Sequence, residues 1–324
     1  MTPVVVGIDV GGTNTKFGFV DKDGRCLREA SILTNAHEEA TVFVSRVVEA
    51  IQHEFVSLRA TRTLVGIGIG APNANYYRGT VENPPNLNWE GVVDVVGLFK
   101  KYFALPVVIT NDAKAAALGE GMFGAAKGMK DYIVITLGTG VGSGLVANGQ
   151  LVYGADGFAG ELGHTIVDVN GRWCGCGRQG CLETYASAGG ICRTVFELLA
   201  IRRDESELRS ISFDKLTAKM VTEAARRGDP IAEEAFETTG RILGMKLAEA
   251  VAHTSPEAIV LMGGLANAGD LIFEPAHRYM EKFMLNIFQN KVKLLPSGLA
   301  EGNTAVRGAA ALIWNEISGK PYSR

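Results

Sequence analysis

One order of elements occurs twice in this chain, and it limits the folds available. Val4-Val5-Val6-Gly7-Ile8 is a β-branched run suited to a buried strand, and Asp9 closes it. Gly11-Gly12-Thr13 then turns the chain, residues 15–20 run back as a second strand, and Asp21-Lys22-Asp23-Gly24 leads into a third over 25–31. Residues 132–137 begin the same order again. Gly138-Thr139-Gly140 turns that strand, 143–147 runs back, and Asn148-Gly149 carries the chain into Leu151-Val152-Tyr153. This self-similarity predicts a duplicated α/β unit rather than a solenoid of short repeats. The length of 324 residues points to two lobes as well, since one core rarely serves beyond ~250–300 residues.

Between the repeats, Val44, Val47, Val48, Ile51, Phe55 and Leu58 recur on one face of a helix, with Asn35 and Glu38 placed to cap its start. Strands are expected over 64–69 and 107–110, and the Ala-rich run 113–119 should be helical from directly after Asp112. Later come a helix over 236–251, a strand over 258–262 that ends in Gly263-Gly264, and a last helix over 305–317. The charge-dense 202–209 reads as a solvated connection.

Composition excludes several functions. Lys and Arg number 32 against 35 Asp and Glu, so the net charge of −3 gives no footprint for nucleic acid or an anionic membrane. No apolar run nears the ~18–20 residues of a membrane span, and Asp9 interrupts the first apolar segment too early for a signal peptide. Five Cys, three of them clustered, argue for a reducing compartment and a cytoplasmic protein. The 40 Gly exceed the roughly 23 that average usage predicts, so many positions need close backbone approach.

Two features carry chemistry. Asp9, Gly11, Gly12 and Thr13 offer backbone N–H groups, a hydroxyl and a carboxylate able to hold Mg²⁺ through water; Gly138, Thr139 and Gly140 repeat the anion-cradle composition. Either turn alone is as well explained by hairpin geometry, but the pair at equivalent repeat positions favours a nucleotide's phosphates. A dinucleotide fingerprint fits less well, because a strand and not a helix follows the first turn. The second feature is His164, Cys174, Cys176 and Cys181 with interleaved glycines, a four-ligand set suited to a closed, structural Zn²⁺ site. One residue between Cys174 and Cys176 departs from the redox Cys-x-x-Cys spacing.

These motifs together resemble the ROK family of bacterial sugar kinases within the actin-like ATPase superfamily, and among them the glucokinases. The resemblance spans nearly the whole chain: residues 9–16, Ile109-Thr-Asn-Asp112, the glycine run 137–144, Gly160-Glu-Leu-Gly-His164, the cysteine segment 174–183 and Gly263-Gly264. It implies a duplicated actin-like, ribonuclease H-like α/β fold with two lobes around a cleft. The small N-terminal lobe would take 1–111, with a C-terminal helix of about 304–324 packing back onto it; the larger lobe would take 112–303 with the zinc loop at 164–181.

The resemblance also implies roles. Asp112 matches the general base that takes the proton of the sugar's 6-hydroxyl as it attacks ATP. Asn86, Asn111, Glu161 and Glu183 match residues that bind sugar hydroxyls, and His164 one that serves metal and sugar with different ring nitrogens. Asp9, Gly11, Gly12, Thr13, Gly138, Thr139 and Gly140 would hold Mg²⁺ and ATP, with Gly263 and Gly264 beside the adenosine. On their own terms, Asp112 could cap the following helix, Asn86 could be a turn residue, and Glu161 and Glu183 could be surface carboxylates. The expected reaction is phosphorylation of glucose to glucose 6-phosphate; N-acetylmannosamine, N-acetylglucosamine and fructose are the alternative sugars. A homodimer is expected. A second class in the family, the sugar-responsive repressors, carries a helix-turn-helix domain ahead of the sugar fold. With a first strand at Val4 and no basic face, that reading is expected to fail.

Overall fold

The computed structural model describes residues 1–299 and 303–319. Contact density divides the chain into two units, 1–129 with 144–160 and 298–324, and 130–143 with 161–297. The helix after Asp112 and the segment 144–160 therefore group with the first unit, whereas the sequence suggests a boundary at 111/112.

The first unit opens with β1 (Thr2–Val10), β2 (Asn14–Val20) and β3 (Cys26–Leu33), an antiparallel meander. After α1 (Ala40–Phe55), β4 (Arg62–Gly70) adds parallel to β1. A small sheet of β5 (Ala74–Asn75), β6 (Thr80–Glu82) and β7 (Val92–Val93) intervenes, followed by α2 (Val95–Lys100). β8 (Val107–Thr110) then pairs parallel with β4, which completes the order β3-β2-β1-β4-β8. α3 (Asp112–Phe123) follows directly.

The second sheet starts with β9 (Tyr132–Leu137), β10 (Val141–Ala147) and β11 (Gln150–Leu151). A largely helical stretch comes next: α4 (Glu183–Ala186), α5 (Ala188–Ile201), α6 (Ala218–Arg226) and α7 (Pro230–Thr254). β12 (Ala258–Met262) pairs parallel with β9, α8 (Asp270–Phe283) follows, and β13 (Lys293–Pro296) pairs parallel with β12. The order β11-β10-β9-β12-β13 repeats that of the first sheet strand for strand, which is the duplication expected from the sequence. The chain ends in α9 (Thr304–Ile317); the expected extension over 320–324 lies outside the described residues.

Each face of the first sheet has its own apolar partner. Phe17, Phe19, Ile67 and Ile69 face Phe43, Val44, Val47 and Ile51 of α1 in one buried cluster. Leu58 lies beyond the end of that helix and still packs on the cluster. Val5 and Val20 join Val306, Ala310, Ile313 and Trp314 of α9 in another. The second face works because Gly18, Gly7 and Gly68 sit side by side across β2, β1 and β4. A Cβ at Gly7 would lie 2.0 Å from the Val306 carbonyl oxygen, and one at Gly68 1.9 Å from that of Ala309. The glycine excess thus lets a helix backbone rest on a sheet backbone.

Two local expectations are corrected. Asn35 and Glu38 do not cap α1, whose N-cap is Glu39 without a side-chain hydrogen bond. Asn35 instead adopts positive φ and donates Nδ2 to Glu38 Oε1 at 2.8 Å, closing a turn ahead of the helix. The 202–209 connection is ion-paired rather than merely solvated: Arg202 forks onto Asp204, and Arg209 reaches the backbone oxygens of Leu199, Arg202 and Asp204.

Candidate active site

In the first unit, β1, β4 and β8 run parallel and finish at one level, where Asp9 pairs with Gly70 and Gly70 with Thr110. Such a C-terminal edge is where α/β sheets place ligands. A Cβ at Gly70 would be 3.5 Å from Ala115 Cβ and 3.7 Å from Asp112 Cα, so the end of β4 lies against the start of α3. Burial and the neighbouring charge of Asp112 raise Asp9 from the usual carboxylate range to about 6, against a smaller opposing effect of Lys16. Burial also raises Asp112, opposed by hydrogen bonds from Ala113 and the Asn111 side chain and by the charge of Lys114.

The helix-capping alternative for Asp112 falls to its neighbour. Asn111 is the N-cap of α3, its Oδ1 accepting from Ala113 N at 3.0 Å and Lys114 N at 3.4 Å. Asp112 is the first helical residue, and one of its oxygens accepts from Ala113 N at 2.8 Å. Capping thus takes one acceptor of Asn111 and leaves its amide N–H₂ as the donor toward other groups.

The turn Gly11-Gly12-Thr13 joins β1 to β2 and is fastened from β3's end. Thr34, fully buried, donates Oγ1 to Gly11 O at 2.7 Å and its N–H to Thr13 O at 2.9 Å. Asn86 is exposed and lies against Gly12, where a Cβ would be 3.0 Å from Asn86 Cβ. Asp9, Gly11–Thr13, Asn86, Asn111 and Asp112 therefore all belong to this unit. Sequence reasoning missed Thr34, Gly70 and Lys114. Lys114 is a buried lysine whose Nζ donates to Gly157 O at 3.0 Å. The strand registers that make Thr34 and Gly70 relevant are not visible in a linear pattern.

The second unit gathers the other candidates. The turn Gly138-Thr139-Gly140 closes with Gly138 N donating to Gly140 O at 3.0 Å. Gly263 follows β12, and Leu265 N donates to Leu137 O at 3.0 Å, so the Gly263-Gly264 pair lies at the end of β9 beside the turn. Gly163 of the Gly160–His164 run packs where a Cβ would be 1.9 Å from Val141 O. Glu161 is exposed and precedes the single helical turn Leu162–His164. Glu183 opens α4 and reaches back to the turn, accepting from Val141 N at 3.0 Å through Oε2, while Oε1 lies 3.7 Å from Cys174 Sγ.

One ligand atom from each of His164, Cys174, Cys176 and Cys181 lies within 4.8 Å of the others. A tetrahedron with metal–sulfur bonds of about 2.3 Å has edges of about 3.8 Å. The Cys176–Cys181 sulfur pair at 3.6 Å and Cys174 Sγ to His164 Nδ1 at 3.8 Å match those edges. Burial raises the Cys181 thiol to about 12, with Cys176 and Cys174 adding to it. At Cys176 burial also acts upward, yet hydrogen bonds from Arg178's backbone and side chain draw the thiol down to about 6. Three thiols so crowded cannot all ionise without a cation among them, and the donor set fits zinc. The loop is held in shape by antiparallel bridges of Ile166 with Cys181 and Trp173 with Gln179.

Residues 5–316 match the ROK family model, and the chain belongs to that family. A glucokinase of Halalkalibacterium halodurans is 37% identical over 286 residues, 86% of each chain. The crystal structure of a ROK glucokinase from Streptomyces griseus with glucose and AMPPNP superposes with a TM-score of 0.78 at 33% identity, covering 95% of this chain and 98% of that one. The xylose repressor of Bacillus subtilis is 28% identical over 310 residues, 95% of this chain and 76% of the repressor.

Proposed function

We propose that this protein transfers the γ-phosphoryl group of ATP to the 6-hydroxyl of a hexose, glucose first among the candidates, with Asp112 as general base. The observation that carries the reading is the likeness, over nearly the full chain, to a glucokinase whose crystal structure holds glucose and AMPPNP.

Phosphoryl transfer demands alignment and charge neutralisation more than covalent chemistry. The first unit contributes Asp112, which accepts the hydroxyl proton as the sugar oxygen attacks phosphorus. Burial raises its pKa above the ordinary carboxylate range, which suits that task, since a stronger base takes up a proton more readily. Asn111, with its amide donors free of capping, and Asn86 bind sugar hydroxyls. Asp9 would hold the nucleotide's Mg²⁺, and the backbone N–H groups of Gly12 and Thr13 would serve phosphate oxygens, while Gly11 shapes the turn with its own N–H donated to Asn14 O at 3.1 Å. Mg²⁺ itself supplies charge neutralisation on the β- and γ-phosphates. The second unit contributes Glu161, His164 and Glu183 as hydroxyl acceptors, Gly138, Thr139 and Gly140 as a phosphate turn, and Gly263 and Gly264 beside the adenosine. His164 offers Nδ1 to the zinc set, so its Nε2 is the nitrogen for sugar.

The test is ADP release across a panel of glucose, fructose, mannose, N-acetylglucosamine and N-acetylmannosamine. Glucose should give the highest kcat/KM. A second reading, a sugar-responsive regulator, draws on the xylose repressor relative; sugar binding without ADP release from any panel member would favour it.

A further inference from the structure

Glu183 is tied to two features at once, and the tie to the turn is the tighter. Its Oε2 accepts from Val141 N at 3.0 Å, the first N–H after Gly138-Thr139-Gly140. A Cβ at Gly140 would stand 2.4 Å from the same oxygen, so the turn has a glycine where the carboxylate needs room. Val141 is held from its other side by Gly163, packed against its carbonyl. The turn is also fastened by Ala188, whose N–H donates to Gly138 O at 2.9 Å only five residues beyond Glu183. The segment 183–188 therefore grips both ends of the second glycine turn.

The geometry points to Glu183 as a positioning residue for the nucleotide turn, bracing Gly138–Val141 through the Val141 N–H in addition to any contact with sugar. This rests on the kinase reading and deepens it. A carboxylate oxygen fixed on the Val141 N–H holds the end of the turn in place, and a charged acceptor makes that bond stronger than a neutral one. A side chain that served the sugar alone would not matter to nucleotide binding before sugar arrives.

The experiment is calorimetric titration of AMPPNP with Mg²⁺, without sugar, into the wild-type protein and three variants, followed by glucose titrations. Glu183→Ala removes the brace and should weaken AMPPNP about tenfold, the scale of a lost charge-assisted bond. Glu183→Gln retains an amide oxygen for Val141 N; it should hold AMPPNP affinity within about threefold of wild type while glucose affinity stays depressed. Gly140→Ala pushes a methyl group into the carboxylate and should weaken AMPPNP, and it should cost less in the Glu183→Ala background, where the collision is gone. Wild-type AMPPNP affinity in a folded Glu183→Ala protein would overturn the inference and leave the kinase reading standing. So would a Gly140→Ala effect unchanged by Glu183→Ala. A wild-type protein that binds no AMPPNP would overturn the kinase reading and the inference with it.

Discussion

Asp9 at the end of β1 and Asp112 at the start of α3 bring two carboxyl groups to the same edge of one sheet, close enough for the charge of one to act on the other. Burial and that like-charge neighbour raise Asp9 to about 6. An acid whose folded pKa exceeds its unfolded value favours the fold while protonated, so its contribution is complete below about 4 and is lost as pH climbs through about 6. A shift of this size corresponds to about 3 kcal/mol. Asp9→Asn should therefore raise Tm relative to wild type above pH 6, with no difference at pH 4, in buffer free of divalent cations. The same variant should lose most activity if Asp9 serves Mg²⁺, a gain in stability at the expense of function. Differential scanning fluorimetry at the two pH values checks it; equal Tm at pH 7 would mean that burial and the Asp112 charge do not raise Asp9.

Asp112→Asn and Asp112→Ala should lower kcat by a factor of about 10² or more, the scale of general-base assistance, while glucose affinity changes only a few-fold. The acid limb of wild-type kcat/KM should fall above the ordinary carboxylate range, because Asp112 and Asp9 are both raised. Steady-state kinetics from about pH 5 to 8 measure both. A near-normal kcat in either variant would remove Asp112 from the base role.

For the cysteine cluster, elemental analysis should find one equivalent of zinc per chain. Cys181→Ser should lose it and lower Tm, as binding of this kind contributes ~10–16 kcal/mol apparent to folding. Cys192→Ser is the control: that thiol is buried near Leu216 O, away from the cluster, and should keep the metal. Well under one equivalent in the wild type would remove the zinc assignment.

Much of the fold is legible in the amino-acid order alone, and the reason is local. β8, β9 and β12 have the bounds that their apolar runs and closing Asn or Gly residues predict. The short edges are not legible: β11 is only Gln150–Leu151, although Val152 and Tyr153 continue the apolar run and Val152 N still donates to Leu145 O of β10 at 2.8 Å. The four-residue α4 and the six-residue α2 carry too few turns for a periodic signal. Of the site, the two glycine turns and the cysteine spacing can be read because their chemistry is contiguous. The Thr34 fastening, the packing of Gly70 against the start of α3 and the Glu183 contact with Val141 arise from strand register and from chain segments far apart, so no spacing rule announces them.

The glycine row beneath α9 makes the last prediction, because two glycines of opposite surroundings separate sterics from backbone entropy. A Cβ on Gly68 would meet the Ala309 carbonyl oxygen at 1.9 Å, and the obstacle is helix backbone, which cannot rotate away as a side chain would. Gly68→Ala must then lift α9 or bend β4, and overpacking of this kind costs about 1–3 kcal/mol or more. Gly189 lies near the start of α5, and a Cβ added there would have nothing within 4 Å, so Gly189→Ala meets no obstacle. It reduces the freedom of the unfolded chain and should stabilise by roughly 0.4–1 kcal/mol. Thermal or urea denaturation should show the two variants moving in opposite directions from wild type. If Gly68→Ala were neutral, α9 would not rest on the sheet as closely as the backbone geometry requires.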